Sequence, residues 1–161
     1  LMDIVWLDDG ETIVAFATSG LFLIRLYNGI IVNVSEIRDE HYDWGTRFSL
    51  SNDDRHIAII NSDRKLQVWD IKLAELVWES ERLHGSPNST AWSPNGKYIL
   101  TVTDLQLRIW DFESREVLYA GCPNVSMYNA WWVPNTNRIL SDALFDVRIW
   151  TVPEDLDIGI P

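Results

Sequence analysis

The stretch "KLQVWD" at 65–70 returns as "QLRIWD" at 106–111 and again as "DVRIWT" at 146–151. In each hexamer apolar and polar residues alternate, the period of a β-strand, and a tryptophan stands next to the end. Trp69 to Trp110 is 41 residues and Trp110 to Trp150 is 40. A second phrase precedes each of the later two. "WSPNGKYIL" at 92–100 matches "WVPNTNRIL" at 132–140, and "LSNDDRHIA" at 50–58 and "WLDDGETIV" at 6–14 fill the same slot. The first unit closes on "LIRLYNG" at 23–29, with Tyr27 taken as the residue in the tryptophan position. Four units follow, opened by Trp6, Leu50, Trp92 and Trp132. A period of this size means a stacked or circular array of one supersecondary unit.

Each unit reads as strand, tight turn, strand, turn, strand. "SPNG" and its relatives carry turn residues between β-rich runs. "YILTVT" and "HIAIIN" are apolar on both faces, as strands covered on both sides must be. One segment competes for a helix: "KLAELVWESERL" at 72–83 has Leu73, Leu76, Val77 and Leu83 at helical spacing. It falls where the other units have a turn and an outer strand, so "ELVWES" is expected to be that strand.

Composition narrows the function classes. The chain has 161 residues, with 13 basic and 24 acidic side chains and a formal charge of −11. Such a surface is repelled by phosphate backbones, which argues against nucleic acid and favours a protein partner with a basic surface. No window reaches the roughly 18 apolar residues of a membrane helix, so no membrane partner is expected. The single cysteine, Cys122, rules out an internal disulfide framework and fits a reducing compartment, cytoplasmic or nuclear. Three N-x-S/T sequons, at Asn33, Asn88 and Asn124, point the other way.

The repeated phrases resemble those of the WD-repeat β-propellers, and the resemblance runs over about residues 3–152. The dipeptide that names the family stands at Trp69-Asp70 and Trp110-Asp111, and is varied at Trp150-Thr151. The resemblance implies an all-β propeller of four blades, each of about four antiparallel strands. It divides the chain at about 1–40, 41–83, 84–121 and 122–152, with 153–161 an acidic tail or last outer strand. It also implies a buried network within a blade: a histidine ahead of the first strand, an aspartate six residues before the tryptophan, and the tryptophan itself. Unit two offers His41, Asp63 and Trp69, and unit three offers His84, Asp104 and Trp110. Unit four has Pro123 and Leu144 in the two polar slots and has lost both together. That is consistent, because half a buried polar network is worse than none. The family's serine or threonine member is not evident, since Thr101 and Thr103 stand near its place but out of register. No glycine precedes His41 or His84.

Propellers of this family usually close with more than four blades. Three arrangements are therefore open: part of a longer propeller, two half-rings joined, or a closed four-blade ring. The first two leave apolar blade faces for self-association, or for continuation of the chain.

No catalytic set emerges. His41, Tyr42 and Asp43 contain two potential metal ligands but fit a blade histidine beside a loop. Asp8-Asp9 and Asp53-Asp54 fall in turns, where aspartate is a turn former. Cys122 has no nearby histidine to activate it. No glycine-rich phosphate loop is present, and neither is the paired arginine of lipid-binding propellers. No metal or cofactor is expected, and the reading is non-enzymatic. The resemblance instead implicates loops at one rim of the ring: Tyr42, Asp43 and Trp44 in unit two, Asn88 in unit three, Tyr128 and Asn129 in unit four. Ser62 and Thr103, each just before a turn aspartate, belong to the same rim. Trp44 and Tyr128 are the anchor types that dominate interfaces. The expected function is a protein-interaction scaffold. A sensor or autoinhibitory segment of a larger regulatory protein, and an enzyme with a site in the channel, are the alternatives.

Overall fold

A computed structural model describes residues 3–17, 20–37, 48–121, 127–134, 136–143, 146–152 and 156. Among these there is no helix, and the strands fall into four antiparallel sheets. The first holds β1 (Asp3–Trp6), β2 (Thr12–Ala17), β3 (Gly20–Tyr27) and β4 (Ile30–Ile37). The second holds β5 (Phe48–Leu50), β6 (His56–Ile60), β7 (Lys65–Asp70) and β8 (Glu75–Arg82). The third holds β9 (Pro87–Trp92), β10 (Tyr98–Thr103), β11 (Leu107–Asp111) and β12 (Val117–Gly121). The fourth holds β13 (Met127–Val133), β14 (Arg138–Ala143) and β15 (Asp146–Thr151). Within each sheet the spatial order follows the chain order. These are propeller blades, numbered one to four below. The segment with competing helical spacing is indeed a strand, β8. Burial decides it: Trp78 and Ser80 alternate inward while Glu79 and Glu81 do not.

The repeated phrases lie in one register. Leu50, Ile57 and Trp69 are cross-strand neighbours, as are Trp92, Ile99 and Trp110, and Trp132, Ile139 and Trp150. In blade one the same register joins Trp6, Ile13 and Ile24. The tryptophan position of blade one is thus Ile24, and the expectation for Tyr27 is corrected. Tyr27 pairs with Ile30 across a turn in which Asn28 and Gly29 have φ of 51° and 75°. Two successive positive φ values make the tight hairpin that Asn-Gly favours. Tyr27 resembles the tryptophans only in being aromatic near a strand end.

Because side chains alternate across a strand, each blade has a rear face toward the preceding blade and a forward face toward the next. Three apolar clusters fill the seams. Val14, Phe16 and Leu21 of blade one meet Ile57, Ile59 and Trp69 of blade two. Ala58, Ile60, Leu66, Val68 and Trp78 of blade two meet Trp92, Ile99 and Trp110 of blade three. Leu100, Val102, Leu107 and Ile109 of blade three meet Met127, Ala130, Trp132 and Ile139 of blade four. At about 25 cal/mol per Å² of apolar surface, such seams are the main source of stability in a stacked array. The first strands β5, β9 and β13 pack side by side, so the sheets fan out from one axis.

The turns explain the polar half of the phrases. Ser51 Oγ accepts from the His56 amide, and Asp53 Oδ1 accepts from Ser51 Oγ and the Arg55 amide. Ser93 and Asn95 repeat this in blade three, through the Tyr98 and Lys97 amides. Asp9 does the same work in blade one with the Glu11 and Thr12 amides and the Thr12 hydroxyl. The aspartate of the Trp-Asp pair is also a turn residue. Asp70 accepts from the Lys72 and Leu73 amides at 2.9 and 3.0 Å and from Arg55 Nε at 3.0 Å. Burial pushes its carboxyl up, but these three donors together hold it below the ordinary carboxylate range.

Candidate functional site

In blade three the Trp110 indole donates to Thr101 Oγ1 at 2.9 Å. In blade four the Trp150 indole donates to Ser141 Oγ at 2.8 Å. Thr101 and Ser141 are equivalent: each stands opposite an arginine of the third strand, Arg108 and Arg148. In blade two this position is Ile59, opposite Gln67, and the Trp69 indole turns to Gln67 Oε1 at 3.1 Å. A buried indole N–H needs an acceptor, and blade two supplies it from the neighbouring position.

The expected chain of histidine, aspartate and tryptophan is not the arrangement found in blade three. Asp104 Oδ1 accepts from the Ser86 amide at 2.6 Å, and the Asp104 amide donates to Ser86 O at 3.0 Å. The aspartate thus clamps the loop before β9 onto the β10–β11 turn. Gly85, with φ of +88°, makes room for it, since a Cβ there would lie 2.2 Å from Asp104 Oδ1. His84 is exposed and makes neither bond, and Trp110 bonds elsewhere. In blade two Asp63 is exposed in the β6–β7 turn, closed by the Arg64 amide on Asn61 O at 2.9 Å. Trp69 bonds to Gln67 rather than to Asp63. His41, Tyr42, Asp43 and Trp44 lie outside the described residues, as do Cys122, Pro123, Asn124, Leu144 and most of the acidic tail.

The rim residues divide by accessibility. Thr103 is 2% exposed, and its hydroxyl accepts from the Gln106 amide at 2.9 Å. It closes the turn and offers no surface to a partner, which corrects its place among the rim contacts. Ser62 is half-buried in the equivalent turn of blade two. Asn88 donates from Nδ2 to Met127 O at 2.6 Å, tying blade three to blade four, so this sequon asparagine is engaged. Asn129 is held by Asp142: its amide donates to Oδ1 at 2.6 Å and its Nδ2 to Oδ2 at 2.8 Å. Tyr128, between Met127 and Asn129 in the chain, is 42% exposed.

Sequence reasoning missed the surface that Asn129 borders. A cleft of about 410 Å³ runs across the first strands of blades two, three and four. Ser49, Thr90, Trp92, Asn129 and Trp131 are among its walls, and none of the described residues lining it is ionisable. The Ser49 and Thr90 hydroxyls lie 3.2 Å apart across the seam, and Thr90 donates on to Ala58 O. The Trp92 indole N–H is buried without an acceptor among the described residues. The signal was present in the register, since Ser49, Ala91 and Trp131 hold one position in three blades. Among the described residues, no three His, Cys, Asp or Glu side chains group to hold a metal ion. No helix among them is long and apolar enough to cross a membrane.

No protein-family model matches the chain. A coronin-like protein of Saccharomyces cerevisiae is 30% identical over 101 residues, which cover 59% of this chain and 15% of that protein. Pre-mRNA-processing factor 17 of Homo sapiens is 26% identical over 82 residues, covering 50% of this chain and 14% of that protein, and the Mus musculus protein matches equally. These relatives are WD-repeat proteins. The four antiparallel sheets fit the β-propeller fold of such proteins. The matched part is about one-seventh of the curated relatives.

Proposed function

We propose that the chain is a non-catalytic protein-interaction scaffold and that the cleft across β5, β9 and β13 receives the partner, with Tyr128, the chain neighbour of Asn129 in its wall, as an anchor. The observation that supports this most is a cleft whose described walls carry neutral hydrogen-bonding groups, with the exposed Tyr128 next in the chain to Asn129 of that wall. Serine and threonine hydroxyls and an asparagine amide suit peptide groups and uncharged side chains. Tyrosine adds a large, rigid contact at low entropic cost. The WD-repeat likeness supports scaffolding at the level of that class.

Charge acts elsewhere. Asp8, Asp9, Glu11, Asp53 and Asp54 sit in the turns that join the first two strands of blades one and two. A chain of net charge −11 favours a partner with a basic surface through its association rate. The contact in the cleft is neutral and governs the dissociation rate. The test is affinity capture with the wild-type chain, then calorimetric titration of each captured protein with wild type, Tyr128→Ala and Trp44→Ala. Tyr128→Ala is expected to lose about 2 kcal/mol or more of affinity without loss of fold. Added salt is expected to slow association while leaving dissociation nearly unchanged. Captured partners that bind both variants as tightly as wild type would overturn the assignment of the rim.

A further inference from the structure

His56 and Tyr98 hold one position in blades two and three, opposite Asp70 and Asp111. In the seam between blades three and four, Tyr98 closes on Trp132 and Val152, and all three are buried. The corresponding residues between blades two and three are His56, Trp92 and Phe112. An imidazole is smaller than a phenol ring, and here a cavity of about 210 Å³ lies against the three rings.

The rings form one wall. The Phe112 centroid lies 5.1 Å from that of His56 and 5.0 Å from that of Trp92, and His56 and Trp92 are 6.1 Å apart. The remaining walls are polar and come from two hairpin turns, with Asn52 and Asp53 of blade two facing Asn95 of blade three. Asn52 Nδ2 donates to Pro94 O and so ties the turns together across the seam. Gly96, also in the wall, leaves the space beside it open, since a Cβ there would meet nothing within 4 Å.

One full charge lines the cavity. Burial pushes the Asp53 carboxyl up, but the Ser51 hydroxyl and the Arg55 amide hold it below the ordinary carboxylate range, so it is ionised at neutral pH. Burial pushes the His56 imidazole below its ordinary value, so it is uncharged there. The Arg55 guanidinium is engaged by Asp70 at 3.0 Å, and no lysine or arginine is among the described residues of the wall. An anion beside aromatic faces attracts a cation.

We propose that this cavity binds an arginine side chain of a protein partner, its guanidinium lying against the aromatic wall and pairing with the Asp53 carboxylate. The cavity is smaller than the roughly 300 Å³ at which small-molecule sites begin, and suits a single side chain. A guanidinium is planar, weakly hydrated and able to stack while donating in its own plane, whereas an ammonium holds its water more tightly. Among the described residues Trp92 alone lines both this cavity and the first-strand cleft. That the arginine belongs to a partner rests on the scaffold reading, but the site is tested with a small probe and stands or falls apart from the cleft.

The probe is acetyl-arginine methylamide, titrated into the 161-residue chain while the Trp92 indole and His56 imidazole resonances are followed by NMR. Saturable shifts at both residues are expected. The uncharged citrulline counterpart is expected to bind about tenfold or more weakly, and the lysine counterpart more weakly than arginine. Asp53→Asn removes the charge and keeps the turn, because Asn95 does the same work in blade three. It is expected to weaken binding about fivefold. His56→Tyr gives blade two the residue of blade three and is expected to fill the cavity and abolish binding. Near-ultraviolet circular dichroism reports whether each variant keeps its packing. Absence of saturable shifts, or shifts spread evenly over the acidic surface, would overturn the proposal. So would citrulline or lysine binding as tightly as arginine, or a folded Asp53→Asn variant that binds like wild type.

Discussion

Blade three and blade one are built from the same phrase and end in different surroundings. Trp92, Ile99 and Trp110 are buried against blade two, while in the same register of blade one Trp6 is exposed and Ile13 and Ile24 are only half-buried. Strand formation is therefore local, since alternation and turn chemistry act in both blades alike. Burial is not local, because it needs the neighbour. An array of this kind is stable in proportion to its filled seams.

The largest expected difference follows from that contrast. Ile99→Ala should cost about 2–5 kcal/mol, because Ile99 is fully buried and a cavity remains. Ile13→Ala, in the same register of blade one, should cost less than half as much, because the half-exposed site leaves no closed cavity. Urea unfolding midpoints of the two variants decide the matter, and equal costs would break the comparison.

A smaller effect separates two tryptophans of one seam. Thr101→Val removes the acceptor of the Trp110 indole and should cost about 1–3 kcal/mol, the penalty of an unsatisfied buried donor. Trp92→Phe gives up no such bond, since its N–H has no acceptor among the described residues, and loses only packing. The cost of Trp110→Phe should accordingly exceed that of Trp92→Phe by about 1 kcal/mol.

Acid sharpens the account of the turns. The folded Asp70 carboxyl lies below its ordinary value, so it contributes stability above about pH 4 that is lost as pH falls through the folded pKa. Asp70→Asn should be less stable than wild type at neutral pH and show a flatter loss below pH about 4. Parallel acid limbs for the two proteins would contradict the depressed pKa. The smallest effects concern the loop before β9. Asp104→Ala should cost about 1 kcal/mol through the lost clamp on Ser86, and His84→Ala should stay within about 0.5 kcal/mol. A histidine variant as costly as the aspartate variant would restore the network expected from the family pattern.

The fold was legible because two independent phrases repeat in step. Hydrophobic alternation placed β7, β11 and β15, and the turn phrase placed the hairpins around Asp53 and Asn95. Helical spacing in 72–83 was overruled correctly by the period of the array. Tyr27 misled because an aromatic residue near a strand end was weighed above the distance from Ile13 to the slot. Ile24 stands 11 residues after Ile13, as Trp110 stands 11 after Ile99. The network was misread for a related reason. Thr101 was set aside as out of register, yet a diagonal neighbour across two strands is within reach of an indole N–H. Asp104 was read as a partner for a side chain, although its acceptor oxygen serves a backbone amide. The cleft was invisible because it is made by three first strands that no contiguous stretch of sequence brings together.

The most direct test of the central claim, that consecutive repeats are blades joined face to face, is a double-mutant cycle between Trp78 and Trp110. The two rings meet edge to face across the seam of blades two and three, with centroids 5.5 Å apart. Unfolding free energies of wild type, Trp78→Ala, Trp110→Ala and the double variant give the coupling directly. Blades packed as described predict a coupling of about 0.5–1.5 kcal/mol. Strictly additive costs, with no coupling beyond error, would mean that the repeats do not meet in this register and would contradict the account.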